Sequence, residues 1–186
     1  MPTFRTSRPV SAADPSIPNL ILVGLPGSGK TTVGMAVAER TGRAFLDLDQ
    51  EIERREGRSI STIFGEQGEN YFRKRERELT QELALVGNMI VSPGGGWVTN
   101  AEVVSIVRPP SQLVYLRVSP AVAMRRLGPG AASRPLLVRP NPLAELERTL
   151  EARKAAYETA DFVVNTELVD LQGVIEKVAE LALSPR

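Results

Sequence analysis

The chain of 186 residues contains no cysteine and no histidine. Each absence closes a class of chemistry. Without cysteine there is no disulfide framework and no thiolate nucleophile. Without histidine the Ser-His-Asp and Cys-His arrangements are impossible, and no imidazole can act as a general base. A Cys/His zinc site is excluded as well. Acid–base work must fall to carboxylates or lysine, and a metal site to oxygen ligands, which suit hard cations such as Mg²⁺.

Other quantities are merely low. Aromatic residues make up 5% of the chain, too few for a stacking platform under single-stranded bases. The 23 Lys+Arg against 22 Asp+Glu leave a net charge of +1, so no broad basic field faces a nucleic-acid backbone. No stretch reaches the ~18 apolar residues of a membrane span. With 42% apolar and 24% charged residues the composition is that of an ordinary globular protein. The length suits a single domain. A monomeric cytoplasmic protein with neither nucleic acid nor membrane as partner is expected, and the lack of cysteine fits a reducing compartment.

Residues 1–18 hold Pro2, Pro9, Pro15 and Pro18 among Ser, Thr and Ala. They have no apolar period and no secretory h-region, and read as a disordered N-terminal extension. One domain is expected over 19–186. Within it, short apolar runs alternate with helical patterns. Strands are expected at 20–23, 44–49, 88–92, 112–118 and 162–165. The pattern predicts a helix from Lys30 to Thr41 closed by Gly42, two short helices over 50–67 broken around Gly57, and a long charged helix from Gly68 to Val86. Thr99-x-x-Glu102 reads as a capping box for the next helix. Ser119-Pro120 and Asn141-Pro142 open two more, the second running to about Ala160, and a C-terminal helix follows. Alternating strands and helices imply a parallel sheet covered on both faces, with ligands at the carboxyl ends of the strands.

The strongest motif is Gly24-Leu25-Pro26-Gly27-Ser28-Gly29-Lys30-Thr31, followed by Thr32. It fulfils G-x-x-x-x-G-K-[ST] between an expected strand and an expected helix. Glycines let backbone N–H groups wrap phosphates, and the helix directs its positive end at them. Lys30 adds a point charge, and the Thr31 hydroxyl can ligate Mg²⁺. Asp47 and Asp49 close the second strand. Read as strand residues two apart, they face one crevice and suit one metal and one substrate hydroxyl; they could also be solvated acids starting a helix. The phosphate loop beside them favours function.

Glu76 falls on the apolar stripe of the long helix, four after Phe72 and three before Leu79. A charge there needs a partner, and Arg73 is three residues away. The free edge of that guanidinium could meet a substrate carboxylate. Gly94, Gly95 and Gly96 follow the third strand and either let backbone touch a ligand or simply make a turn. Residues 128–141 are rich in Pro and Gly and form a long irregular segment in which Arg134 is a candidate lid residue. By pattern alone, Arg153 is a surface residue.

These motifs, in this order, resemble the shikimate kinases. The resemblance rests on the phosphate loop, Asp47-x-Asp49, the run Gly68-Glu69-x-x-Phe72-Arg73-x-x-Glu76, the triplet of glycines, Arg134-Pro135-Leu136-Leu137 and Arg153-x-x-x-Tyr157, and spans nearly all of 19–183. It implies an α/β three-layer P-loop kinase fold of the nucleoside-monophosphate-kinase type, with a five-stranded parallel sheet in the order 2-3-1-4-5. It also implies a mobile lid at about 126–141 and substrate-binding helices at about 49–86. The implied reaction moves the γ-phosphoryl of ATP, with Mg²⁺, to the 3-hydroxyl of shikimate on the route to chorismate. Carried over residue by residue, Gly27, Ser28, Gly29, Lys30, Thr31, Thr32, Arg126 and Arg134 bind nucleotide, with Arg126 against adenine. Asp49, Arg73, Gly94, Gly95, Gly96 and Arg153 bind shikimate, the two arginines gripping its carboxylate. Thr31 and Asp47 serve the metal, Asp47 through water, while Lys30, Asp49 and Arg134 act in catalysis. Three departures stand out: Trp97 is bulkier than the family pattern after the glycines, the lid has two extra punctuators in Pro129 and Gly130, and 165–167 lack a basic residue that some members place over the nucleotide. A related gluconate-type kinase, or a ligand sensor without catalysis, is the alternative.

Overall fold

The computed structural model describes residues 4, 14, 16–128 and 140–184. Five strands, β1 (Leu20–Val23), β2 (Ala44–Asp47), β3 (Met89–Ser92), β4 (Gln112–Arg117) and β5 (Phe162–Asn165), form one parallel sheet in the order β2-β3-β1-β4-β5. The order is the expected one. The helices are α1 (Lys30–Thr41), α2 (Leu48–Glu56), α3 (Ile60–Leu83), α4 (Ala101–Val107), α5 (Pro120–Leu127), α6 (Pro142–Tyr157) and α7 (Leu171–Leu183).

The alternation of side chains along each strand explains the three layers. Leu20 and Leu22 of β1 pack with Val33 and Val37 of α1 and Val174 and Val178 of α7. Ile21 and Val23 point the other way, into a second cluster containing Ile52, Phe72, Leu79, Val103 and Leu146 from α2, α3, α4 and α6. Both faces of β1 are buried, so its sequence is a continuous apolar run rather than an alternating one.

Several boundaries differ from the sequence reading. β2 ends at Asp47, whose side chain caps α2 by accepting from the Gln50 N–H. Asp49 therefore lies in the first turn of a helix, not on a strand, and its orientation relative to Asp47 follows helical geometry. α2 stops at Gly57, as expected, with φ +66°. The second short helix and the long charged helix run together as α3, interrupted at Gly68, where φ is +79°. The capping position before α4 is Asn100, not Thr99: its side chain accepts from Val103 N–H at 3.2 Å. Among the described residues no helix is long and apolar enough to cross a membrane.

Three contacts fasten the start of the chain. Phe4 is buried and lies under the Arg55 guanidinium, 5.5 Å from the ring centre. Asn88 N–H donates to Ile17 O at 2.8 Å. Arg43, only 5% exposed in the turn between α1 and β2, donates to Pro18 O at 2.9 Å and also to Ala182 O of α7. One guanidinium thus satisfies carbonyls from both ends of the fold. Replacing Arg43 by Ala leaves those carbonyls short of a donor, and hydrogen bonds to a charged group contribute about 1.5–3 kcal/mol each. Urea unfolding of Arg43→Ala is expected to show a loss of at least about 2 kcal/mol; an unchanged midpoint would mean that water replaces the guanidinium without cost.

Candidate active site

The phosphate loop leaves the carboxyl end of β1. Gly24, Gly27 and Gly29 hold φ of +149°, +82° and +94°, a left-handed or otherwise strained backbone that glycine adopts most easily. A Cβ on Gly27 would lie 2.5 Å from Ala123 O of α5. Ser28 is buried, with an Oγ that has no hydrogen-bond partner, and Thr32 is exposed in the first turn of α1. The first turn of α1 itself carries no acidic residue. Lys30 Nζ donates to Gly24 O at 3.0 Å and Leu25 O at 3.1 Å, lying across its own loop. Thr31 Oγ1 donates to Asp47 Oδ2 at 3.0 Å. The two residues expected at the metal are therefore adjacent.

The residues expected at the acceptor also converge, around the loop 94–96. Each glycine faces a different side chain. A Cβ on Gly94 would stand 2.5 Å from Asp49 Oδ1, one on Gly95 2.8 Å from Arg153 Nη1, and one on Gly96 2.6 Å from Arg73 Nη2. Any side chain there would occupy the space these three groups use. The triplet makes a turn, closed by Trp97 N–H to Gly94 O at 3.1 Å, and its bare backbone lies against these three side chains.

Glu76 ties the arginines together. It is 1% exposed, and Oε2 accepts from Arg73 Nη1 at 2.9 Å. Arg73 is held from the other side by Glu69 Oε1 at 3.0 Å. Burial pushes the Glu76 carboxyl above its ordinary range, and Arg73 and then Arg153 pull it back. Glu76 Oε1, Arg153 Nη1 and Asp49 Oδ1 are all buried without a hydrogen-bond partner. Two of these unpartnered atoms, Asp49 Oδ1 and Arg153 Nη1, lie against the loop 94–96, and buried polar atoms without partners are uncommon in folded proteins. Arg153, assigned to the surface by its pattern, is placed instead against Gly95.

Asp49 connects the two halves. Its carboxyl is pushed up to about 7, first by burial, then by the charges of Asp47 and Glu76, with Lys30 opposing. A carboxylate poised at neutrality can accept a proton and give it up again, the property expected of a general base.

Arg126 is positioned by Thr166, donating to its Oγ1 at 2.8 Å and its carbonyl at 2.7 Å. Thr166 follows β5, so the residue expected at adenine is fixed to the sheet rather than left loose on α5. Arg134 lies outside the described residues. Two contributors escaped the sequence reading. Thr80, in the middle of α3, is fully buried, and Trp97 Nε1 donates to its hydroxyl at 3.0 Å. A threonine one helical turn after Glu76 was the available signal, since Thr in that setting returns a hydrogen bond to the i−4 carbonyl.

Comparison with known proteins agrees with this geometry. The family described as "Shikimate kinase" matches residues 26–182. The shikimate kinase of Burkholderia thailandensis is 41% identical over 170 residues, covering 91% of each chain. That of Symbiobacterium thermophilum is 38% identical over 164 residues, covering 87% of this chain and 94% of that one. Among solved structures, the shikimate kinase from Acinetobacter baumannii in complex with shikimate superposes with a TM-score of 0.83 at 36% identity, covering 94% of this chain and 97% of that one. With the family match running from the phosphate loop into the last helix, the chain belongs to the shikimate kinase family.

Proposed function

We propose that the protein transfers the γ-phosphoryl of ATP to the 3-hydroxyl of shikimate, in the biosynthesis of chorismate and the aromatic amino acids. One observation carries the reading. Gly94, Gly95 and Gly96 press a bare backbone against Asp49, Arg153 and Arg73. An acceptor seated there meets a carboxylate on one side and two guanidiniums on the other, and a hydroxylated carboxylic acid has the matching groups.

The residue roles follow from the chemistry. The new bond forms between the acceptor oxygen and the γ-phosphorus as the bond from phosphorus to the β,γ-bridging oxygen breaks. ADP leaves with that electron pair. Arg73 and Arg153 grip the carboxylate and orient the ring. Asp49 holds the attacking hydroxyl and takes its proton late. Since the transition state is loose, placement matters more than base strength. The loop amides and Lys30 neutralise charge on the phosphates. Arg134 is assigned to the closing lid at about 126–141 by sequence, and 19–186 form the kinase domain.

Thr31 and Asp47 fit a magnesium ion: both offer hard oxygen, they already share a hydrogen bond, and they border the phosphate loop. No group of three or more acidic side chains gathers among the described residues. The fitting arrangement is an ion delivered with the nucleotide, Thr31 ligating it and Asp47 acting through water. When bound, Mg²⁺ supplies charge neutralisation at the phosphate oxygens.

Shikimate-dependent release of ADP, with gluconate and nucleoside monophosphates as controls, is the direct test; turnover with gluconate alone would move the protein to another kinase class. Arg73→Ala is expected to raise the shikimate KM about 10- to 100-fold and to leave the ATP KM nearly constant, the loss expected for a charged hydrogen-bonding pair. Equal rises in both would make Arg73 structural.

Asp49→Asn is expected to lower kcat by about 10²- to 10⁴-fold. The unfolded chain releases the Asp49 proton near its ordinary value of 3.8, the folded chain near 7. Between these values the folded state binds the extra proton, so this group's contribution to stability falls as pH rises through the window. The Asn variant should therefore melt higher than wild type at pH 8 and equally at pH 4. In the wild type, kcat/KM for shikimate should climb through an apparent midpoint near neutrality; a flat profile would remove Asp49 from proton transfer.

A further inference from the structure

We propose that Trp97 is a positioning residue for the acceptor: it locks the loop 94–96 between the two helices that carry Arg73 and Arg153, and so sets how those guanidiniums meet the substrate carboxylate. The inference rests on the functional reading above and extends it to a residue outside the assigned site.

The argument begins with what the loop lacks. Three successive glycines have no side chains, so the loop cannot anchor itself by packing. Trp97 is the first side chain after them, and it is fully buried, with 0% exposure. Its own N–H donates to Gly94 O at 3.1 Å, closing the loop into a tight turn. A buried indole fills a large volume and needs a partner for its N–H. Here the partner is Thr80 Oγ1, at 3.0 Å.

Thr80 is not an isolated acceptor. Its hydroxyl donates to the Glu76 carbonyl at 2.8 Å, one turn back along α3. Glu76 in turn accepts from Arg73 at 2.9 Å. A continuous set of contacts therefore runs from the glycine loop through the indole to the residue that holds Arg73. On the other side, the 3-10 turn Trp97–Thr99 packs on α6, the helix of Arg153. The glycine backbone sits so near both guanidiniums that a shift of about 1 Å would change the fit of a bound carboxylate. None of these contacts involves the phosphate loop, so the effect should fall on shikimate and spare ATP.

Two variants separate this role from bulk stability. Trp97→Phe keeps most of the volume and removes the N–H; Thr80→Val keeps the shape and removes the acceptor. Each should raise the shikimate KM about fivefold to tenfold, the effect of one hydrogen bond, with the ATP KM within about twofold of wild type. The double variant should fall well short of the sum of the two single effects, because both remove the Trp97–Thr80 bond. The protein has one tryptophan, so its emission reports this site alone. Emission should shift on adding shikimate and stay constant on adding ATP. An unchanged shikimate KM in both variants, or parallel rises in both substrates' KM, would overturn the proposal. If Trp97→Phe does not fold, Thr80→Val decides the matter by the same criterion. Absence of shikimate-dependent turnover in the wild type removes the functional reading and the proposal with it, whereas normal wild-type turnover with indifferent variants removes the proposal alone.

Discussion

Glu76 holds a carboxylate where almost no water reaches it, and the acceptor half of the pocket is organised around that burial. An ionised group so placed requires a cation at short range, and removing the cation from such a pair costs about 3–5 kcal/mol. Arg73 is therefore fixed by necessity. Its guanidinium cannot swing out to solvent without stranding the acid beneath it. Arg153 approaches from α6 and adds a second positive charge near Glu76. One acid within the apolar stripe of α3 thus pairs with Arg73 and feels the charge of a second base from a helix distant in sequence.

The phosphate half depends on backbone instead. Glycines with positive φ turn the chain after β1, and α1 points its unsatisfied N–H groups into the space they leave. The two halves differ in how they are built, one from dipoles and the other from buried ion pairs. They meet at Asp49, which feels Asp47 and Lys30 from one side and Glu76 from the other. In the proposed reaction this is the residue that touches the bond being made. Burial is the main reason its carboxyl is pushed up; Asp47 and Glu76 add to that and Lys30 opposes it.

Much of this was legible in the chain. The alternation of apolar runs and helical periods gives a parallel sheet, its strand order follows only from the family resemblance, and the phosphate loop and the Arg73–Glu76 spacing lead directly to two clusters of the site. What was missed has a physical cause in each case. Asp49 was read as a strand residue because apolar alternation continues past Asp47, but Asp47 caps the backbone and starts a helix, a local competition that periodicity does not reveal. Arg153 belongs to a helix whose polar face looks solvated, so only the family resemblance marks it; the contact that half-buries it comes from a loop almost sixty positions earlier. Phe4 lies among prolines, where no pattern signals burial, yet it is buried beneath Arg55. For Arg153 and Phe4 the deciding contact is tertiary, and the local sequence has no record of it; for Asp49 it is a local cap.

The placement of Arg43 has a different kind of consequence. It sits at the amino end of β2, on the side of the sheet opposite the phosphate loop, and receives Pro18 from the incoming chain and Ala182 from the last helix. The two ends of the fold are therefore neighbours at the pole away from the chemistry. A short covalent bridge from Pro18 to the end of α7 would close the segment between them into a ring, and new ends could then be opened in an exposed turn elsewhere. The order in which the elements are joined is thus separable from the pocket that they build.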